Sequence, residues 1–165
     1  MQMYHGTSAS NLTEIVEYEG LLCMLDLGVQ RLLKLQKKGY FSEELSQSET
    51  ERRIWDGARK RKENDPSYKY SKDVHVYVSS DPHSAYLRCR ETGVILGFEV
   101  DSSMLIDGNK VYRSVPLTHL NRVLYLEGTD LSFAREALRD YDVPYAFYDY
   151  KTEKIHSGER SQVSI

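Results

Sequence analysis

The chain has 165 residues, 40% hydrophobic and 28% charged, with a formal net charge of −3. That length suits one domain able to bury a core without staples, and the charge balance excludes a polyanion binder taken as a whole. Two cysteines, Cys23 and Cys89, share no CxxC spacing and no histidine in ligand pattern, which excludes a disulfide scaffold and a thiolate metal site and predicts two reduced, buried thiols.

The opening MQMYHGT predicts a short strand ending at His5-Gly6. SASNLTEIVEYEGLL predicts a helix capped by Ser10 or Asn11, with Leu12, Ile15 and Val16 as its apolar stripe and Gly20 as its stop. LGVQRLLKLQKKG predicts a second helix, with Val29, Leu32, Leu33 and Leu35 apolar and Gly39 behind it. Residues 42–72 are polar and charged, and predict an insertion made of one helix and a mobile loop. The helix carries Ile54, Trp55 and Ala58 on one face, and Asp65-Pro66-Ser67 is a turn.

DVHVYVSS alternates apolar and polar residues and predicts a strand. PHSAYLRCRE predicts a short helix with Pro82 near its start. GVILGFEVD is apolar enough for a central strand; NKVYRS and NRVLYLE predict two more. TDLSFAREALRDYD predicts a helix capped by Thr129 or Asp130, with Leu131, Phe133, Ala134, Ala137 and Leu138 facing inward. VPYAFYDYKTEKI predicts a closing strand or hairpin, and residues 156–165 a frayed tail. Helices gather early and strands late, without βαβ alternation, which predicts an α+β fold in one domain spanning 1–165. No apolar signal core and no long apolar window is present, so a cytoplasmic protein without a membrane partner is expected.

Charge is uneven. Arg52, Arg53, Arg59, Lys60, Arg61, Lys62, Lys69 and Lys72 face only Asp56, Glu63 and Asp65 over the same stretch, which leaves +5 there and −8 elsewhere. A solvated helix face is the ordinary meaning of such a run; a contact for phosphate, in a dinucleotide or a nucleic acid, is the functional one.

YHGT and HVYVSSDPHSAY hold the residues best suited to chemistry. Tyr77 and Ser79 lie two apart, on one strand face, and Ser84, Ala85 and Tyr86 open the next helix. Tyrosine faces stack on a flat ring, a glycine backbone and a serine hydroxyl pair with a carboxamide, and a histidine nitrogen holds a ribose hydroxyl. A nicotinamide nucleotide has that shape. The other histidines, His75, His83, His119 and His156, have no metal spacing and are expected at the surface.

YHGTSASNLTEIVEYEGL, VYVSSDPHSAY and GVILGFEVD together resemble the ADP-ribosyltransferase superfamily, in its branch of diphtheria toxin and poly(ADP-ribose) polymerases. The likeness covers about residues 3–25 and 74–101. It implies one compact domain with split antiparallel sheets, N-terminal helices and the charged insertion, and it implies NAD as a substrate. His5 would hold the adenine-side ribose, the Gly6 backbone and Ser84 the carboxamide, and Tyr77 and Tyr86 would sandwich the nicotinamide. Tyr4, Thr7 and Ser79 would complete the NAD site, with His5, Tyr86 and Glu127 as the catalytic set. Many members place a glutamate at the start of a later strand; here those starts are Asn109-Lys110 and Asn121-Arg122, so Glu127 and Asp107 are the acids at hand. The implied activity is transfer of ADP-ribose to a macromolecular acceptor, protein or nucleic acid, with release of nicotinamide. Such small proteins include toxins, effectors and phage proteins, some acting in a host cytoplasm. Two alternatives stand beside it: RNA 2′-phosphotransferase chemistry, which shares the HGT strand and loosely DGNKVYRS, and an inactive module that binds NAD or ADP-ribose.

Overall fold

The computed structural model describes residues 1–89 and 93–157 of a mixed α and β chain. In chain order the elements are β1 (Gln2–Ser8), α1 (Ala9–Glu17), β2 (Gly20–Leu22), α2 (Met24–Lys37), α3 (Gln47–Asn64), α4 (Tyr70–Val74), β3 (His75–Tyr77), α5 (Pro82–Cys89), β4 (Gly93–Glu99), β5 (Leu105–Ile106), β6 (Lys110–Tyr112), β7 (Ser114–Pro116), β8 (Leu120–Tyr125), α6 (Leu131–Ala137), β9 (Tyr145–Asp149) and β10 (Lys154–His156). A five-stranded sheet has the order β1-β4-β8-β9-β10; β2 pairs with β7, and a small sheet has the order β3-β6-β5. No described helix is long and apolar enough to cross a membrane.

The contacts gather into two compact units. Unit 1 comprises residues 1–21, 77–111 and 115–165; unit 2 comprises 22–76 and 112–114.

Unit 1 is built on the large sheet. β4 is its apolar centre, with six of seven residues buried, and it pairs antiparallel with β1 on one side and β8 on the other. β8 runs parallel to β9, with α6 as the connection, and β10 returns antiparallel beside β9. Tyr4, Ala85, Cys89, Ile95, Leu124, Leu126 and Tyr148 form a core on the side covered by α5. α1 packs against β1 and α6.

Unit 2 is helical. α2 packs against α3 and α4. The buried Gln36 donates from Nε2 to Thr50 Oγ1 at 3.3 Å and accepts from the Leu45 N–H at 2.7 Å, which ties α2, the loop before α3 and α3 together. Trp55 is buried and donates from Nε1 to Asp26 at 3.0 Å. Arg113 forks onto Asp26 from Nε at 2.9 Å and Nη2 at 2.7 Å, and reaches Glu51 at 2.7 Å.

Several local expectations need correction. β1 runs on through Ser8, because Thr7 and Ser8 still pair with Val94 and Gly93. Ser8, rather than Ser10 or Asn11, caps α1: its Oγ accepts from the Asn11 N–H at 3.4 Å. Gly20 opens β2 instead of stopping a helix, and a Cβ there would stand 2.7 Å from the Val115 carbonyl oxygen. Leu35 and Phe133 face outward, while Gln36 turns inward for its two hydrogen bonds. The stretch 42–72 holds two helices rather than a helix and a loop; Tyr68 donates to Asp73 at 2.7 Å and fixes the entry to α4. That helix takes Asp73 and Val74 from the expected strand, leaving β3 only His75–Tyr77. His156, placed in the expected tail, is the last residue of β10; the rest of the tail from 158, and the expected end of α5 at residues 90 and 91, lie outside the described residues. Cys23 and Cys89 are buried thiols outside any disulfide, and burial pushes both up to about 11.

Candidate functional site

The site forms where β1 loses its second neighbour. Tyr4 donates its N–H to the Ser79 carbonyl at 2.7 Å and accepts from the Ser79 N–H at 2.9 Å. Continuing that antiparallel register would oppose Gly6 to Tyr77, but the ladder opens there. The Tyr77 carbonyl is taken by His5 Nδ1 at 2.9 Å instead. In an antiparallel strand, residues two apart direct their backbone groups to the same edge. The Gly6 N–H and C=O therefore face the way Tyr4's do, away from β4, and no described residue pairs with either. A half-buried backbone donor and acceptor stand side by side at the opening.

α5 lies over this point. A Cβ at Gly6 would collide with the Ala85 carbonyl oxygen and stand 3.1 Å from Cys89 Cβ, and one at Gly93 would collide with the Thr7 carbonyl oxygen. Glycine at both places lets the helix sit directly on the strand pair. Tyr86, one residue beyond Ala85, is half-buried against the core of unit 1. Its ring stacks on Tyr150 with centroids 4.8 Å apart and planes 11° from parallel. It also meets His83 at 5.5 Å and Tyr148 at 6.5 Å. The ring facing Tyr86 is thus Tyr150, not the expected Tyr77, whose own ring meets the Arg88 guanidinium at 5.8 Å.

Burial, opposed by the Tyr77 carbonyl and aided by the nearby Arg88 charge, holds the His5 imidazole below its ordinary value. A neutral ring must carry its proton on Nδ1 to donate to the Tyr77 carbonyl, so Nε2 keeps a lone pair. Ser84 is exposed, and its Oγ donates to Asp81 at 3.3 Å. Ser79 Oγ accepts from the Asp81 N–H at 3.0 Å, and Asp81 accepts from the His83 N–H at 2.9 Å. Ser79 and Asp81 therefore shape the turn into α5.

Not all expected residues gather here. The side chains of Tyr4 and Thr7 are buried, Tyr4 in the core and Thr7 with its Oγ1 on the Ser8 carbonyl at 3.3 Å, so neither offers a side chain to a ligand. Glu127 is exposed in the turn after β8, next to Gly128 with φ +80°. Register sets Leu124 level with Ile95, and Ile95 level with Gly6. Glu127 lies three residues past that level and two strands over, about 10 Å across the sheet at the usual strand spacing. Asp107 pairs with Lys110 at 3.1 Å.

His83, Tyr148 and Tyr150, none of which the sequence placed in the site, stand beside Tyr86, and Glu153 stands beside His83. His83, expected at the surface, brings Nδ1 within 3.1 Å of the Tyr148 hydroxyl and 3.3 Å of Glu153 Oε1. Tyr148 is fully buried, and burial, followed by the charges of Glu153, Asp81 and Asp149, pushes its hydroxyl up to about 12. Tyr150 and Glu153 lie in the turn between β9 and β10. The alternation in YAFYDY, which sets Tyr148 and Tyr150 on one face, was the available signal.

No family model matches the chain, and neither a curated protein nor a solved structure does.

Proposed function

We propose that unit 1 binds NAD by its nicotinamide carboxamide at Gly6 and transfers the ADP-ribosyl group to a macromolecular acceptor. The observation that carries this reading is the open backbone pair at Gly6, where β1 parts from Tyr77. A carboxamide has one N–H donor edge and one carbonyl acceptor, the complement of that pair. The ring attached to it would lie toward Tyr86, with the exposed Ser84 hydroxyl as a further partner. His5 Nε2, left with its lone pair, accepts from a ribose hydroxyl.

In the reaction the bond between ribose C1′ and the nicotinamide nitrogen breaks. Its electron pair leaves with nicotinamide, which becomes neutral. The acceptor's nucleophile forms the new bond to C1′ and gives its proton to solvent. The protein's part is to hold the leaving group and orient the ribose while positive charge develops on it.

The test is nicotinamide release from NAD by the full chain, with transfer of label to a lysate. Activity is expected in the wild type and a loss of at least about tenfold in Tyr86→Ala, the scale of one stacking contact. His5→Ala is expected to abolish transfer while leaving the ellipticity spectrum intact. Absence of both release and label from the wild type overturns the reading.

A second reading, binding of NAD or ADP-ribose without turnover, is favoured by the place of Glu127 in an exposed turn away from Gly6. Calorimetry that shows saturable NAD binding with no nicotinamide released selects it. Glu127→Gln separates the two again, since a change in release rate would put that acid in the reaction.

A further inference from the structure

The cations from Arg52 to Lys72 fall into two groups by what holds them. Along α3 as far as Arg59 they sit on carboxylates of the same helix: Arg52 and Arg53 on Glu49 at 2.6 and 3.1 Å, and Arg59 on Asp56 at 2.9 Å. Beyond Arg59 the pattern changes. Lys60, Arg61 and Lys62 close α3, and Lys69 and Lys72 follow, all five exposed. Arg61 has a carboxylate, Asp65, at 3.8 Å. Lys60, Lys62, Lys69 and Lys72 have no carboxylate at ion-pair distance among the described residues.

Tyrosines take the place of carboxylates. The Arg61 guanidinium lies 4.3 Å over the Tyr68 ring and the Lys62 ammonium 4.9 Å over Tyr70. The two rings meet edge-on at 6.4 Å, and the Tyr68 hydroxyl is fixed on Asp73. A cation held on a ring face keeps its charge unneutralised and loses less freedom when it meets an anion. The α3 dipole accounts for Arg61 and Lys62 in the last turn, but not for Lys60 and Lys69.

We propose that the surface of Lys60, Arg61, Lys62, Lys69 and Lys72 docks the sugar-phosphate backbone of a nucleic acid. Charge complementarity selects this occupant: a +5 stretch stands in a chain whose remainder carries −8. An anionic membrane fits less well, because a helix lying on lipid buries apolar side chains next to its cations. Of the apolar residues of α3, Trp55 and Ala58 are buried within unit 2 and Ile54 is half-buried. The inference goes beyond the nicotinamide reading and does not depend on it.

The test uses the full chain without NAD and a fluorescein-labelled single-stranded RNA of about 20 nucleotides, a length that spans several phosphate contacts. Anisotropy is expected to show saturable binding that weakens with salt. The triple variant Lys60→Glu, Lys62→Glu, Lys69→Glu is expected to weaken it more than about tenfold and to flatten the log–log salt slope by about 2, at about 0.7 per lost phosphate contact. The milder Lys→Gln triple guards against loss of fold and should shift both quantities the same way. Three results each overturn the proposal: no binding at low salt, triple variants that bind like the wild type, or tighter binding to polyglutamate or to anionic vesicles than to RNA.

Discussion

Gly6 answers to two demands at once. Its missing Cβ lets α5 rest on β1, and its backbone faces the opening beside Tyr77. Gly6→Ala must push the Ala85 carbonyl away, so a loss of about 1–3 kcal/mol is expected, the usual cost of overpacking. Gly57, inside α3, is the opposite case: nothing lies within 4 Å of a Cβ there. Gly57→Ala should stabilise by about 0.5–1 kcal/mol, the difference in helix propensity. Urea unfolding of the two variants against the wild type measures both signs. His5 adds a pH dependence. Its ordinary value is 6.5, and in the folded protein burial holds it lower. Above 6.5 both states are neutral and the contribution of His5 to stability is complete. As pH falls from there the unfolded chain takes the proton first, and stability drains until the folded-state value is passed. His5→Gln should remove that share, so the stability gap between wild type and variant should narrow from pH 8 toward acid in the same urea experiment.

Among the elements, those with local signals were legible. α3 has its apolar face, α6 has the Asp130 cap, and β4 is an apolar run of the kind that a strand buried on both faces carries. Short pieces were not, because tertiary contacts decide them. β2 exists as the partner of β7, and α4 is shaped by one hydrogen bond from Tyr68. The site divides the same way. HGT and SAY were visible as motifs, but the neighbours of Tyr86 come from the hairpin turn at Tyr150 and Glu153, and no local pattern pairs residues so far apart in the chain. The 112–114 segment is a third example. Arg113 looked like a strand residue, yet it has φ +66° and forks onto Asp26, beside Trp55. Asp26 accepts three hydrogen bonds, two of them from the guanidinium. Asp26→Asn turns an amide N–H₂ toward donors and removes the charge, so unit 2 should lose about 1.5–3 kcal/mol, the worth of hydrogen bonds to a charged group. The midpoint of thermal unfolding followed at Trp55 checks it.

At the scale of the whole molecule, charge and core both divide along the two units. Unit 2 holds thirteen Lys and Arg against nine Asp and Glu, a net of +4, which leaves unit 1 at −7. Unit 1 has the sheet core around Ile95, Leu124 and Tyr148, and unit 2 has helices joined through Gln36, Thr50 and Trp55. A unit with its own core can unfold as its own cooperative block, in which case a single transition no longer describes the chain. The sequence supplies a probe for this. Its one tryptophan, Trp55, is buried in unit 2, so its fluorescence reports that unit, while far-ultraviolet ellipticity reports the helices and strands of both. In Asp26→Asn the fluorescence midpoint in urea is expected to fall below the ellipticity midpoint. In Gly6→Ala the order reverses: ellipticity shifts and fluorescence holds. If the two probes coincide in both variants, the protein unfolds as one block, and the stability of unit 2 is then shared with the sheet that carries Gly6.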